Sequence, residues 1–198
     1  TYTTYTAFTP SDSLNYLSSS STKSLTVQKQ STSITMSSIN SIIYTTTLSS
    51  FISGTTSSPV PGSLNFYITD ATGQQLTSSS VLTVSTYLIY STFEPNDSTN
   101  YLPSTNSKPL QVVKQTSTIT FSSISTVEYG DTTEAFINGT TSSVPGTLSF
   151  FLNDAYGQQV TINTILNAAT YTIFCKFDPT DATNYTTATA TKQLTTVQ

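Results

Sequence analysis

Phe93-Glu94-Pro95-Asn96-Asp97, followed by Asn100-Tyr101, decides how this chain reads, because the stretch occurs three times. It stands earlier as Phe8-Thr9-Pro10-Ser11-Asp12 with Asn15-Tyr16, and later as Phe177-Asp178-Pro179-Thr180-Asp181 with Asn184-Tyr185. The copies are 85 and then 84 residues apart, so the pattern F-x-P-x-D-x-x-N-Y marks an internal period. Working outward, Gly54-Thr55-Thr56-Ser57-Ser58 leading to Val60-Pro61-Gly62 returns as Gly139-Thr140-Thr141-Ser142-Ser143 leading to Val144-Pro145-Gly146, with Pro59 lost between the copies. Gly73-Gln74-Gln75 returns as Gly157-Gln158-Gln159, and Gln28-Lys29-Gln30 aligns with Val113-Lys114-Gln115. The period divides the chain into residues 1–30, the last third of an incomplete repeat, and full repeats at 31–115 and 116–198.

Alternation inside a repeat predicts strands. Leu64, Phe66 and Ile68 follow Pro61-Gly62, and Leu148, Phe150 and Leu152 follow Pro145-Gly146, each with every second residue apolar. A second set, Tyr87, Ile89, Ser91 and Phe93, is matched by Tyr171, Ile173, Cys175 and Phe177 and runs straight into the Pro-Asp turn. Further strands are expected at Ser33–Met36 and Thr118–Phe121, at Leu48–Ile52 and Thr133–Ile137, and at Leu110–Val113 and Gln193–Val197. Thr69-Asp70-Ala71-Thr72-Gly73 and Asn153-Asp154-Ala155-Tyr156-Gly157 are expected to join neighbouring strands as hairpins, with glycine free to take positive φ. Six or seven short strands per repeat predict an all-β fold of β-sandwich domains.

Composition agrees with a folded β-protein. Only 8% of the residues are charged, yet there are 12 Tyr and 10 Phe, and Ser plus Thr fill 76 of 198 positions. Disordered chains combine low hydrophobicity with high charge, whereas β-branched and aromatic residues pack well on a pleated surface. A net charge of −4 with six Lys and Arg leaves no basic patch to neutralise phosphates, so no nucleic-acid partner is expected. No apolar run approaches the ~20 residues that span a bilayer, so no membrane insertion is expected within this chain. The single cysteine allows no internal disulfide framework.

The chemistry-bearing residues point away from catalysis. Without histidine there is no Ser-His-Asp or Cys-His nucleophile and no usual zinc set. Glu94 with Asp97 and Asp178 with Asp181 lie three apart, a spacing open to acid–base work or calcium. Their place in a repeated turn favours Asp as an acceptor of backbone N–H groups, and the first copy offers calcium only Asp12 among hydroxyls. No catalytic residue, metal or cofactor is assigned. Cys175 sits on an alternating apolar face and aligns with Ser91, which reads as a buried thiol. Lys29 and Lys114 read as ordinary lysines at repeat boundaries. Asn96-Asp97-Ser98, Asn138-Gly139-Thr140 and Asn184-Tyr185-Thr186 fit the N-glycosylation sequon, making Asn96, Asn138 and Asn184 candidate glycan sites.

Taken in order, Ile119-Thr120, Glu128-Tyr129-Gly130, Val144-Pro145-Gly146-Thr147-Leu148, Leu166-Asn167-Ala168 and the Phe177–Tyr185 block resemble bacterial-type immunoglobulin-like repeats of the MBG kind. The first full repeat departs at Ile43-Tyr44-Thr45, which leaves the turn there open. The resemblance covers nearly all of both repeats. It implies tandem immunoglobulin-like β-sandwich domains of a large secreted or cell-surface protein, and it carries no catalytic motif. The chain is therefore expected to be an extracellular structural element of a stalk, filament or surface fibre. Its partners would be neighbouring repeats of the same protein, self-assembled into a fibre and glycosylated. The alternative is an adhesin module in which Tyr67 and Phe151, opposite in face to Phe66 and Phe150, contact carbohydrate or a protein. A spacer beside a catalytic unit is a third class. Residues 1–30, a hairpin marginal by itself, are expected to be completed by an earlier part of a longer array.

Overall fold

The computed structural model describes residues 1–69 and 73–198. The chain is all-β, with two short helices and six separate sheets among the described residues and no closed barrel. Two compact units form: Thr1–Ser37 with Thr55–Leu76 and Ile89–Lys108, and Ser38–Gly54 with Thr77–Leu88 and Pro109–Gln198. The division runs through the first full repeat and places its segments Ser38–Gly54 and Thr77–Leu88 with the whole of the second.

The chain opens with β1 (Tyr2–Phe8) and β2 (Ser19–Leu25), an antiparallel pair in register from Tyr2 opposite Leu25 to Phe8 opposite Ser19. The first full repeat then supplies β3 (Gln30–Ser31), β4 (Ile34–Thr35), β5 (Ser41–Ile43), α1 (Ser49–Ser53), β6 (Thr56–Ser57), β7 (Gly62–Ile68), β8 (Gln74–Leu76), β9 (Ser85–Pro95), β10 (Tyr101–Leu102) and β11 (Ser104–Val113). The second supplies β12 (Ile119–Thr120), β13 (Thr126–Glu128), α2 (Glu134–Asn138), β14 (Thr141–Ser142), β15 (Gly146–Leu152), β16 (Gln159–Val160), β17 (Ala169–Pro179) and β18 (Ala188–Val197). Each repeat builds a five-stranded sheet, in the orders β5-β11-β9-β7-β8 and β13-β18-β17-β15-β16. The short β5 and β13 run parallel to the last strand of their repeat, so the whole repeat lies between two neighbouring strands. Short pairs, β4 with β6 and β12 with β14, stand apart from these sheets.

The expected alternation is present. Ile89, Ser91 and Phe93 on β9 and Ile173, Cys175 and Phe177 on β17 are all buried, with Phe66 and Phe150 on the strands beside them. In the second repeat Phe136, Phe150, Val160, Leu166, Ile173, Cys175 and Leu194 form one cluster, against which Ile119, Phe121, Ile124 and Val127 pack. Each such aromatic or aliphatic side chain contributes about 1.5–3 kcal/mol by leaving water.

Two expectations are corrected. Leu48–Ile52 and Thr133–Ile137 are not strands, since α1 and α2 occupy Ser49–Ser53 and Glu134–Asn138. Apolar anchors at Leu48, Phe51 and Ile52 follow helical i, i+3, i+4 spacing, and a single turn sinks Phe51 and Phe136 to 1% exposure each. The last strands also begin earlier than expected, at Ser104 and Ala188, because their polar first halves still belong to the ladder. The hairpin turn expected at 69–73 includes residues 70–72, which lie outside the described residues. Its flanks pair, Ile68 opposite Gln74. The turn left open at Tyr44-Thr45 matches its counterpart. Thr46 N–H donates to Ile43 O and Asp131 N–H to Glu128 O, with positive φ at both Thr45 (74°) and Gly130 (101°).

Candidate functional site

The thrice-repeated turn is built the same way each time. Proline fixes φ at the end of a long strand, and the aspartate two residues on folds the chain over its own carboxylate. Asp97 accepts from the N–H groups of Thr99 and Asn100, both at 3.1 Å, and from Asn100 Nδ2 at 2.7 Å. Asp12 does the same for Leu14 and Asn15, and Asp181 for Asn184. Tyr16, Tyr101 and Tyr185 then donate their N–H to the carbonyls of Asp12, Asp97 and Asp181, each at 3.1 Å. The hydrogen bond from the Asn15 side chain holds the Asp12 carboxyl below its ordinary value, and that from Asn100 does so for Asp97. These carboxylate oxygens face N–H donors, which is the turn-forming role expected for them.

A second layer comes from the segment before each repeat. Lys29 Nζ donates to Ser98 O and Lys114 Nζ to Ala182 O, both at 2.6 Å. Gln30 N–H and Gln115 N–H donate to Asn100 O and Asn184 O at 2.8 and 2.9 Å. These lysines are clasps on the turn rather than ordinary boundary lysines. Their partners are main-chain carbonyls 68–69 residues away, a contact without a local sequence signal.

At the third copy the turn also meets the preceding repeat. Asn184 Oδ1 accepts from Val84 N–H at 2.9 Å, and the ring of Tyr185 stands edge-on to Tyr44 with centroids 5.5 Å apart. Thr45 Oγ1 donates to Gln115 Oε1 at 2.7 Å, and Thr186 N–H to Gln115 O at 3.0 Å. Asn184 thus spends its amide donor on Asp181 and its oxygen on Val84, and is 7% exposed. All these residues belong to one compact unit.

No protein-family model matches this chain, and no curated protein does. What it can do therefore rests on its own geometry.

The three candidate glycan sites differ. Asn96 and Asn138 are exposed, whereas Asn184 is buried in the contact just described. Tyr67 and Phe151 do lie on the face opposite Phe66 and Phe150, but they are half-buried. Tyr67 stands between Tyr90 and Gln75 on neighbouring strands, and Phe151 between Phe174 and Gln159. Each sheet therefore carries an outward aromatic pair flanked by a glutamine. Cys175 is buried, and loss of hydration pushes its thiol up to about 11. Among the described residues no group of three His, Cys, Asp or Glu side chains is placed to hold a metal, and no helix is long and apolar enough to cross a membrane.

Two further residues escaped sequence reading. Lys108 and Lys192 sit on the last strands, half-buried, and donate to Ser37 O and Ser122 O. They lie two residues before Leu110 and Leu194, so they share the inward face of those buried residues. Their matching positions in both repeats were the available signal.

Proposed function

We propose that the chain is a stretch of tandem immunoglobulin-like repeats, similar to those of the MBG kind, that serves outside the cell as a structural element of a stalk, filament or surface fibre. One observation carries this reading: the third copy of the turn that defines the period is also a contact between consecutive repeats. Asp181-Ala182-Thr183-Asn184-Tyr185 is clasped by Lys114 and Gln115 and rests on Tyr44 and Val84. A joint held by side-chain and main-chain hydrogen bonds and a ring contact resists bending, which is what a load-bearing array needs. Neighbouring repeats of the same protein are then its principal partners, and the reading gives the chain no reaction of its own.

Glycosylation fits the same role. With 8% charged residues the surface has little electrostatic protection against association, and attached sugar supplies hydration. Asn96 and Asn138 are the acceptors this reading favours, because their side chains reach solvent. Site-resolved mass spectrometry of native material should find glycan there and none on Asn184.

Electron microscopy of the native material, with intact mass on the same sample, tests the function. Regular filaments carrying excess mass are expected. Discrete particles of unmodified mass would overturn the fibre and leave the second reading, an adhesin module. The outward pairs Tyr67–Tyr90 and Phe151–Phe174 favour that alternative, since aromatic faces beside amide side chains suit sugar rings. Glycan binding lost in Tyr67→Ser or Phe151→Ser would establish it.

A further inference from the structure

The opening segment of the second repeat and its last strand run side by side in the same direction. Gln115 N–H donates to Asn184 O at 2.9 Å, and Ser117 N–H to Thr186 Oγ1 at 3.2 Å. Further along, Lys192 Nζ donates to Ser122 O, Thr195 N–H to Ser125 O at 2.8 Å, and Tyr129 N–H to Val197 O at 2.7 Å, around the parallel register of β13 on β18. The partners are 69 residues apart at Ser117 and 70 at Ser122. A separation that holds steady in this way means that the two segments advance together, with Lys192 as a rung between the main-chain bonds near either end. The first repeat makes the same contacts: Gln30 N–H donates to Asn100 O and Tyr44 N–H to Val113 O, both at 2.8 Å, and Lys108 Nζ donates to Ser37 O.

Direction decides what tension does to these bonds. In the second repeat the opening segment starts at Gln115 and the last strand stops at Val197, at opposite ends of the paired stretch. Tension along the chain therefore slides one segment past the other and strains every rung at once, whereas a pull on two neighbouring ends opens the rungs one after another. Parallel ladders space their bonds evenly, so the rungs share the load. Rupture under force is set by the unfolding barrier rather than by equilibrium stability, and a barrier that requires several bonds to fail together is high. We propose that these parallel segments are a mechanical clamp that keeps each repeat closed under tension, with Lys108 and Lys192 as its middle rungs. The inference rests on the structural reading above and names the element that carries its load. It also gives the two half-buried lysines a task that neither the core nor the aspartate turn requires.

Single-molecule pulling on the full chain tests it, with one handle at the C-terminus and the other on Thr116→Cys or Tyr129→Cys. Both positions are exposed and Cys175 is buried, so the new thiol is the one that takes the handle. Thr116 lies at the start of the opening segment and Tyr129 beside Val197, so the same rungs are sheared in one chain and peeled in the other. Rupture from Thr116 should need several-fold more force than rupture from Tyr129 at the same loading rate. Lys192→Met, which keeps the apolar stem of the side chain, should lower the first force and leave the second, and circular dichroism checks its folding. Equal forces at the two attachment points, or full force without the lysine, would overturn the proposal. Filaments in native material together with equal forces would sink the clamp alone, while discrete native particles together with unequal forces would sink the fibre and leave the clamp.

Discussion

Thr69 and Asn153 hold equivalent places after β7 and β15, both at positive φ, 83° and 72°. A β-branched residue is strained there, whereas asparagine tolerates the left-handed region, and strain of this kind costs about 1–3 kcal/mol. Thr69→Asn should therefore stabilise the protein by roughly 1 kcal/mol in chemical denaturation. No gain would mean that the threonine is not strained. A second residue pair shows paired exchange between the repeats. Ser91 Oγ donates to Met36 Sδ at 3.1 Å, and the corresponding positions are Cys175 and Phe121. Where the neighbour is a phenyl ring, the weakly polar thiol is the better tenant. With its thiol buried and raised to about 11, Cys175 should ignore a thiol reagent at neutral pH until denaturant is added. Rapid labelling of the native chain would contradict that burial. Sequence alternation placed Cys175 on the inner face but said nothing of Phe121, which is distant in the chain.

At the scale of elements, β7 and β15 each begin at a glycine covered by an aromatic ring. A Cβ on Gly62 would lie 2.5 Å from Glu94 O and from the Phe93 ring, and one on Gly146 would lie 2.5 Å from Asp178 O and from the Phe177 ring. The main-chain oxygen cannot turn aside, so Gly62→Ala and Gly146→Ala should each destabilise by at least the ~1–3 kcal/mol typical of overpacking. Thermal melts of the two variants measure this. The aspartate turn, which follows the prolines paired with these glycines, responds to acid. Asp12 and Asp97 are held low first by the side chains of Asn15 and Asn100, so their contribution is present above the ordinary value of 3.8. It is lost as pH falls through the lower folded value. Asp97→Asn should flatten the acid limb of the stability profile below pH 3.8. An unchanged limb would show that the carboxylate contributes nothing. The proline, aspartate and asparagine of this turn were legible as a turn in the sequence. The helices α1 and α2 were not, because five residues hold too few anchors to separate helical from alternating spacing.

For the molecule as a whole, the Asn184 side chain ties the second repeat's turn to the first repeat's main chain at Val84. Asn184→Ala leaves the half-buried Val84 N–H without its acceptor, a loss of about 1–3 kcal/mol. Asn100→Ala removes the equivalent bond to Asp97, so the difference between the two variants isolates the contact between repeats. Hydrogen exchange at the Val84 amide should accelerate in Asn184→Ala alone. Equal exchange in both variants would mean that the joint is held elsewhere.

Sequence alone determined the period, the all-β character, the face on which each long-strand residue lies, and the aspartate turn, because each rests on local spacing that the backbone geometry of strands and turns dictates. Tertiary structure decided the rest. Lys29 and Lys114 became clasps, Asn184 became a buried link rather than a free sequon, and Tyr67 and Phe151 acquired aromatic neighbours. Each of these depends on a partner roughly twenty to one hundred residues away in the chain, and the energy of such a contact is set by distance in space.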